Sequence, residues 1–349
     1  MRRFEVVSLI STVAALFAKE GLAPDRALDM AEVLVEGDLL GHDTHGLGLM
    51  ASYLDALRSG GMTAEGEPEV VAQTPVAETW DGRKLPGPWL VRRAVDRASA
   101  MAEVFGLGCV VIKRAHHIAC LAAYPEPVAR AGKMLLLVSS DPATASVAPA
   151  GGIAAVMTPN PLAAGWPTGE GPPVILDVSM SYTTNGMSAR LKAAGGTFPH
   201  PYLQDAEGGA TNDPAVFGAG GTLLPLGAPG APHKGFALGL LVETLTNALG
   251  GEGGRADVPA GWGASVFVLV LDPARFGGTE AFAREAGWLA ETIRTSPPPA
   301  GQPAPRLPGE RGLARKAEAL HSGVVLHPSL PPILAERCAA AGVVMPDPI

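Results

Sequence analysis

Apolar residues recur at helical spacing through the first forty positions. Val6, Leu9, Ile10, Val13, Leu16 and Phe17 share one face of a 3.6-residue repeat, interleaved with Ser8, Ser11 and Thr12, which predicts a half-buried helix. Pro24 and Asp25 read as a second helix start, and Ala27, Met30, Ala31, Leu34, Val35 and Leu39 continue its stripe toward Gly41. Gly60-Gly61 and the polar, proline-containing stretch up to Pro75 break this pattern and place a boundary near residue 66. Pro88 to Phe105, closed by Gly106, predicts another helix, followed directly by a short buried strand from Cys109 to Ile112. Met134 to Val138, Val174 to Val178 and Val266 to Leu271 are further strands, and Gly235 to Leu249 is a helix apolar on most faces, stopped by Gly250-Gly251. Thr295 to Pro308, rich in Pro and Ala, reads as a linker or surface arm. The expectation is an α/β protein in three segments: a helical part over 1–66, an α/β core over 67–304 and a C-terminal piece over 305–349.

A chain of 349 residues, 47% hydrophobic and 17% charged, has ample volume for a buried core and is not composed like a disordered one. The net charge of −8, with no long basic run, argues against nucleic acid or an anionic membrane as partner. Cys109, Cys120 and Cys338 show no CxxC spacing, so neither a disulfide framework nor a thiolate zinc site is expected, and a reducing compartment fits. Met1-Arg2-Arg3 ahead of an apolar stretch imitates a secretory leader, but the polar residues and helical stripe favour a folded helix. No run reaches the roughly 18 uninterrupted apolar residues of a membrane span. A cytoplasmic protein acting on a small molecule is expected.

Three clusters carry candidate chemistry. Gly41-His42-Asp43-Thr44-His45-Gly46 closes the second helix, and a histidine between a hydroxyl and a glycine suits acid/base work; an ordinary capping turn uses the same residues. Lys113-Arg114-Ala115-His116-His117 follows a strand, where α/β proteins place ligands, though a solvated basic turn looks the same. Pro232-His233-Lys234-Gly235 opens the Gly235 helix, and its free N–H groups and two basic side chains suit an anion such as a cofactor phosphate. Thr158 to Pro161 and Asp177 to Ser181 are weaker, since turns use those residue types. The nearest approach to GxGxxG is Gly106-Leu107-Gly108, which has Val111 in place of the third glycine and precedes a strand. A Rossmann site is therefore not expected.

In order and spacing these clusters resemble the malate/L-lactate dehydrogenase-like family, which also includes sulfolactate, ureidoglycolate and cyclic-imino-acid reductases. Gly41 to Gly46 resembles its G-H-D-S-H-G, and Asp81 to Gly87 its D-G-x-x-x-x-G. Arg114 to Ala119 is similar to N-S-x-H-F-G, and Pro159-Asn160-Pro161 to T-N-P. Leu176 to Ser181 is similar to L-D-x-A-T-S, Leu224 to Gly235 to L-P-x-G-G-H-K-G, and Leu307 to Arg311 reads L-P-G-E-R. The resemblance implies a non-Rossmann, L-sulfolactate-dehydrogenase-like α/β fold, in which a central cofactor-binding sheet domain is joined by a helical domain built from both termini. It implies NAD or NADP as cofactor, a homodimer, and His45 as catalytic acid/base with Thr44 in its proton relay. It implies cofactor contacts from His117, Ile118, Ala119, Cys120 and Leu121, from Asn160, from Asp177, Ser179 and Ser181, from His233 and Lys234, and from Arg306 and Arg311.

Three departures bear on the substrate. Leu49 stands where the family commonly has an arginine for a substrate carboxylate. Met187 follows Gly186 where its reductases have a relay aspartate, and Ala228 to Pro232 enlarges the loop ahead of His233. The expected reaction is hydride transfer between nicotinamide and a small 2-hydroxy or 2-oxo acid or a cyclic imine. The alternatives are a catalytically weakened dinucleotide binder and, more remotely, a metal-dependent hydrolase using His42, Asp43, His45, His116 and His117.

Overall fold

The computed structural model describes residues 2–251 and 262–349. Helix α1 (Val6–Lys19) starts where the Glu5 carboxylate accepts the N–H groups of Val7 and Ser8, and buries Leu9, Val13, Leu16 and Phe17. Pro24 sits in the first turn of α2 (Pro24–Leu40), and Gly41 ends it in the left-handed conformation at φ 92°. Helices α3 (Met50–Arg58) and α4 (Gly87–Phe105) follow.

Seven strands form the central sheet: β1 (Glu69–Gln73), β2 (Ala77–Asp81), β3 (Leu107–Ala115), β4 (Met134–Ser140), β5 (Leu162–Trp166), β6 (Val174–Val178) and β7 (Ala264–Leu271). Their order is β1-β2-β3-β7-β4-β5-β6, and only β2 and β3 run parallel. Alternation along β3 sends Val110 and Ile112 to the large core shared with α4 and the N-terminal helices, while Val111 joins Val138, Val242 and Phe267 on the opposite face. Gly108 permits close packing of β3 on α4, because a Cβ there would lie 2.1 Å from the Ala98 carbonyl oxygen. Gly108 therefore serves helix packing, and Gly106, at φ 89°, ends α4 in the left-handed conformation.

Helix α5 (Pro125–Arg130) links β3 to β4, and α6 (Asn185–Ala193) follows β6. Helix α7 (His233–Glu243) continues into a wider turn over Thr244–Ala248 and covers the second sheet face. Leu238, Leu241 and Leu249 remain exposed on it, so the strongly apolar stretch is only partly core. The chain closes with α8 (Thr279–Arg294), α9 (Glu310–Ser322) and α10 (Leu330–Ala341). Both ends of the chain meet: Arg3 and Phe4 pair antiparallel with Val325 and Val324, and Lys316 of α9 bridges Glu36 of α2 at 2.6 Å and Glu126 of α5 at 2.8 Å. Among the described residues no helix is long and apolar enough to cross a membrane.

Candidate active site

The turn after α2 is held from beneath. The His42 N–H returns to the Gly37 carbonyl at 2.7 Å, the His45 N–H to the His42 carbonyl at 2.9 Å, and the buried Asp38 carboxylate accepts the Leu47 N–H at 2.6 Å. A Cβ on Gly46 would lie 2.2 Å from that carboxylate, so the glycine beside His45 is required by close approach. Burial raises the Asp38 carboxyl to about 7, against the Leu47 N–H, which lowers it.

His45 is held with its Nδ1 2.9 Å from the Thr44 hydroxyl. Burial, with smaller contributions from His42 and Arg190, lowers its pKa to about 4, so the imidazole is neutral at pH 7. Six ångströms away, centroid to centroid, is His117, delivered by the turn after β3. Its Nδ1 accepts the Ala119 N–H at 3.2 Å and lies 2.7 Å from the Tyr53 hydroxyl. A backbone N–H can only donate, so the His117 proton sits on Nε2. Burial keeps this ring far below the usual histidine range, and Trp262 stacks on it at 4.4 Å. The turn requires φ 60° at Ala119, a value glycine adopts far more readily.

These groups border a cavity of about 400 Å³. Thr44, His45 and Leu49 form one wall, and His117, Ile118, Ala119, Cys120 and Leu121 another. Ser139 to Asp141 at the end of β4, Asp177 and Ser179 at the end of β6, and Thr184 to Gly186 at the start of α6 complete it. A second cavity, of about 800 Å³, shares His42 and Asp177 with the first and is lined by Arg306, Arg311 and Arg315. No described carboxylate pairs with any of these three guanidinium groups.

The remaining candidates lie elsewhere. Asn160 is fully buried at φ 49°, and its amide reaches the Gly239 carbonyl at 3.1 Å and Glu243 at 3.0 Å, tying the loop to α7; its neighbours Thr158, Pro159 and Pro161 line the cavity instead. Ser181 lies buried beneath Ser179, 2.8 Å between hydroxyls, and donates to the Thr183 carbonyl. His233 and Lys234 stand exposed in the first turn of α7 and line neither cavity. Tyr53, Trp262, Asn185 and Arg315 belong to the two sites without having been singled out by motif. Arg315 alone carried a signal, since it follows Arg311 by one helical turn.

The sequence profile described as malate/L-lactate dehydrogenase matches residues 4–332. The chain belongs to that family. An L-lactate dehydrogenase from Cupriavidus necator is 31% identical over 311 residues, covering 87% of this chain and 88% of that protein. A Delta(1)-pyrroline-2-carboxylate reductase from Ancylobacter novellus is 28% identical over 320 residues, 89% and 90% of the two chains. A malate dehydrogenase structure from Entamoeba histolytica shares the fold at TM-score 0.93 and 21% identity, over 99% of both chains. This malate/L-lactate dehydrogenase family member is an oxidoreductase.

Proposed function

We propose that the enzyme is an NAD- or NADP-dependent dehydrogenase or reductase of a small 2-hydroxy or 2-oxo acid or a cyclic imine, with His45 as its acid/base. One observation carries the reading: a neutral, hydroxyl-oriented His45 borders a cavity that adjoins a second one lined by three arginines with no salt-bridge partner among the described residues. This pair of sites fits a dinucleotide by its chemistry, because an aromatic ring needs an apolar wall and phosphates need unpaired cations. Ile118, Ala119 and Leu121 would hold the nicotinamide end, and Arg306, Arg311 and Arg315 the anionic end. When bound, the nicotinamide accepts or supplies the hydride. His45 takes the hydroxyl proton in oxidation and returns one in reduction, and Thr44 holds its ring in place.

The substrate carboxylate has no arginine at position 49, where Leu49 lines the cavity. That same feature, with an exposed Met187 at the start of α6, favours the second reading of a dinucleotide binder with lapsed chemistry. The exposed leucines of α7 support a homodimer. The test is a panel of 2-oxo acids and cyclic imines assayed with NADH and NADPH by loss of absorbance. Turnover of at least one compound supports the reading; NAD(P)H binding without turnover supports the second, and no NAD(P)H binding rejects both.

A further inference from the structure

Where the two cavities meet, three side chains of different chemistry converge from three separate elements. His42 comes from the turn after α2, Cys120 from the turn after β3, and Asp177 from the end of β6. One ligating atom of each lies within 4.8 Å of the others. The Cys120 Sγ is 3.9 Å from Asp177 Oδ2. That oxygen is fixed by the Ala122 N–H at 2.9 Å, while Oδ1 has no hydrogen-bond partner among the described residues. Sequence spacing hides this arrangement, because the three positions are far apart along the chain.

We infer that His42, Cys120 and Asp177 bind a single divalent transition-metal ion of the zinc type. A mixed imidazole, thiolate and carboxylate set suits a borderline-soft ion and excludes magnesium or calcium, which take oxygen ligands alone. Tetrahedral zinc holds such atoms at roughly 2.0–2.3 Å, which puts them about 3.5 Å apart, so the present spread closes by about 1 Å of side-chain movement. Two of the three ligands are held in place: the His42 backbone N–H is bound to the Gly37 carbonyl, and the Asp177 carboxylate is oriented by the Ala122 N–H as an outer-shell donor orients a ligand. All three residues line the first cavity, from which water would supply the fourth ligand. Capture of the ion displaces the thiol proton of Cys120 to solvent, with no change of oxidation state.

His42 and Asp177 border both cavities, so an ion here stands where the two adjoin and acts as a plug at that point. On the proposed dinucleotide reading, zinc therefore inhibits by closing the cofactor's path, and a chelator reverses it.

The full-length, metal-free protein titrated with cobalt(II) should bind one ion per chain and develop a near-ultraviolet thiolate-to-cobalt charge-transfer band. Cys120→Ser should lose the band, Asp177→Asn should weaken binding about tenfold or more, and zinc should displace the cobalt. X-ray absorption of the zinc-loaded wild-type protein should give one sulfur neighbour at roughly 2.3 Å, a measurement that depends on no variant's folding. Absence of the band and of the sulfur neighbour, or a band that survives in Cys120→Ser, overturns the site. In parallel, zinc should weaken NADPH binding to the wild type about tenfold or more and leave Cys120→Ser unaffected. Zinc bound with NADPH affinity unchanged overturns the plug, whereas metal-free protein that fails to bind either dinucleotide overturns the functional reading and leaves the metal site standing.

Discussion

Replacing Asp38 with asparagine tests how the turn that carries His45 is supported. Asp38 is 1% exposed and accepts the Leu47 N–H at 2.6 Å. Loss of water is the largest influence on it and raises its pKa to about 7; Asp43 adds to the rise, while the Leu47 N–H, Arg315 and Arg190 oppose it. In the unfolded chain the same carboxyl titrates near ~3.9. Between about pH 4 and 7 the unfolded chain has released this proton and the folded one has kept it, so stability falls as pH rises across that window. At about 1.4 kcal/mol per unit over roughly three units, the loss reaches about 4 kcal/mol by pH 8. Asparagine keeps an oxygen for the Leu47 N–H and cannot ionise. Urea unfolding of both proteins should therefore give stabilities within about 1 kcal/mol near pH 4, and a variant more stable by up to about 4 kcal/mol near pH 8. Parallel pH dependences for the two proteins would refute the reasoning.

Three further outcomes follow from particular contacts. Because burial holds His45 at about 4 in the free enzyme, kcat/KM for oxidation should stay flat from about pH 9 down to about 5; a fall centred near ~6.5 would mean an unburied base. Leu49→Arg should raise kcat/KM about tenfold for small 2-oxo acids relative to uncharged ketones, the worth of one charged hydrogen bond, and an unchanged ratio places the carboxylate elsewhere. Ala119→Gly should stabilise the protein by up to about 1 kcal/mol in thermal unfolding, since relief of left-handed strain at φ 60° exceeds the entropy cost of glycine; a destabilised variant refutes that balance.

The helices were legible because their stripes and stops are local. Pro24 and Gly41 bracket α2, and Gly106 ends α4, as their neighbours imply. Strands β3, β4, β6 and β7 announce themselves as apolar runs, but β5 contains Ala163, Ala164 and Gly165, too weakly apolar to stand out, and every residue of β1 is exposed. The antiparallel pairing of β7 between β3 and β4 joins segments more than a hundred residues apart, and no local pattern encodes it. Motif order brought His45, Thr44, the His117 turn and Asp177 to one cavity, because glycines and turn residues mark where the chain must bend. Tyr53, Trp262 and the Asp38 support escaped it, since their roles arise from contacts across the fold.

The central claim is that His45 transfers the proton in a nicotinamide-dependent reaction, and its most direct test is the turnover of His45→Ala on the best substrate found, beside its NAD(P)H affinity. General acid/base groups contribute roughly 10²–10⁴-fold. The expected result is a turnover number reduced by that factor with dinucleotide affinity nearly intact. A variant that turns over within about threefold of the parent would contradict the mechanism.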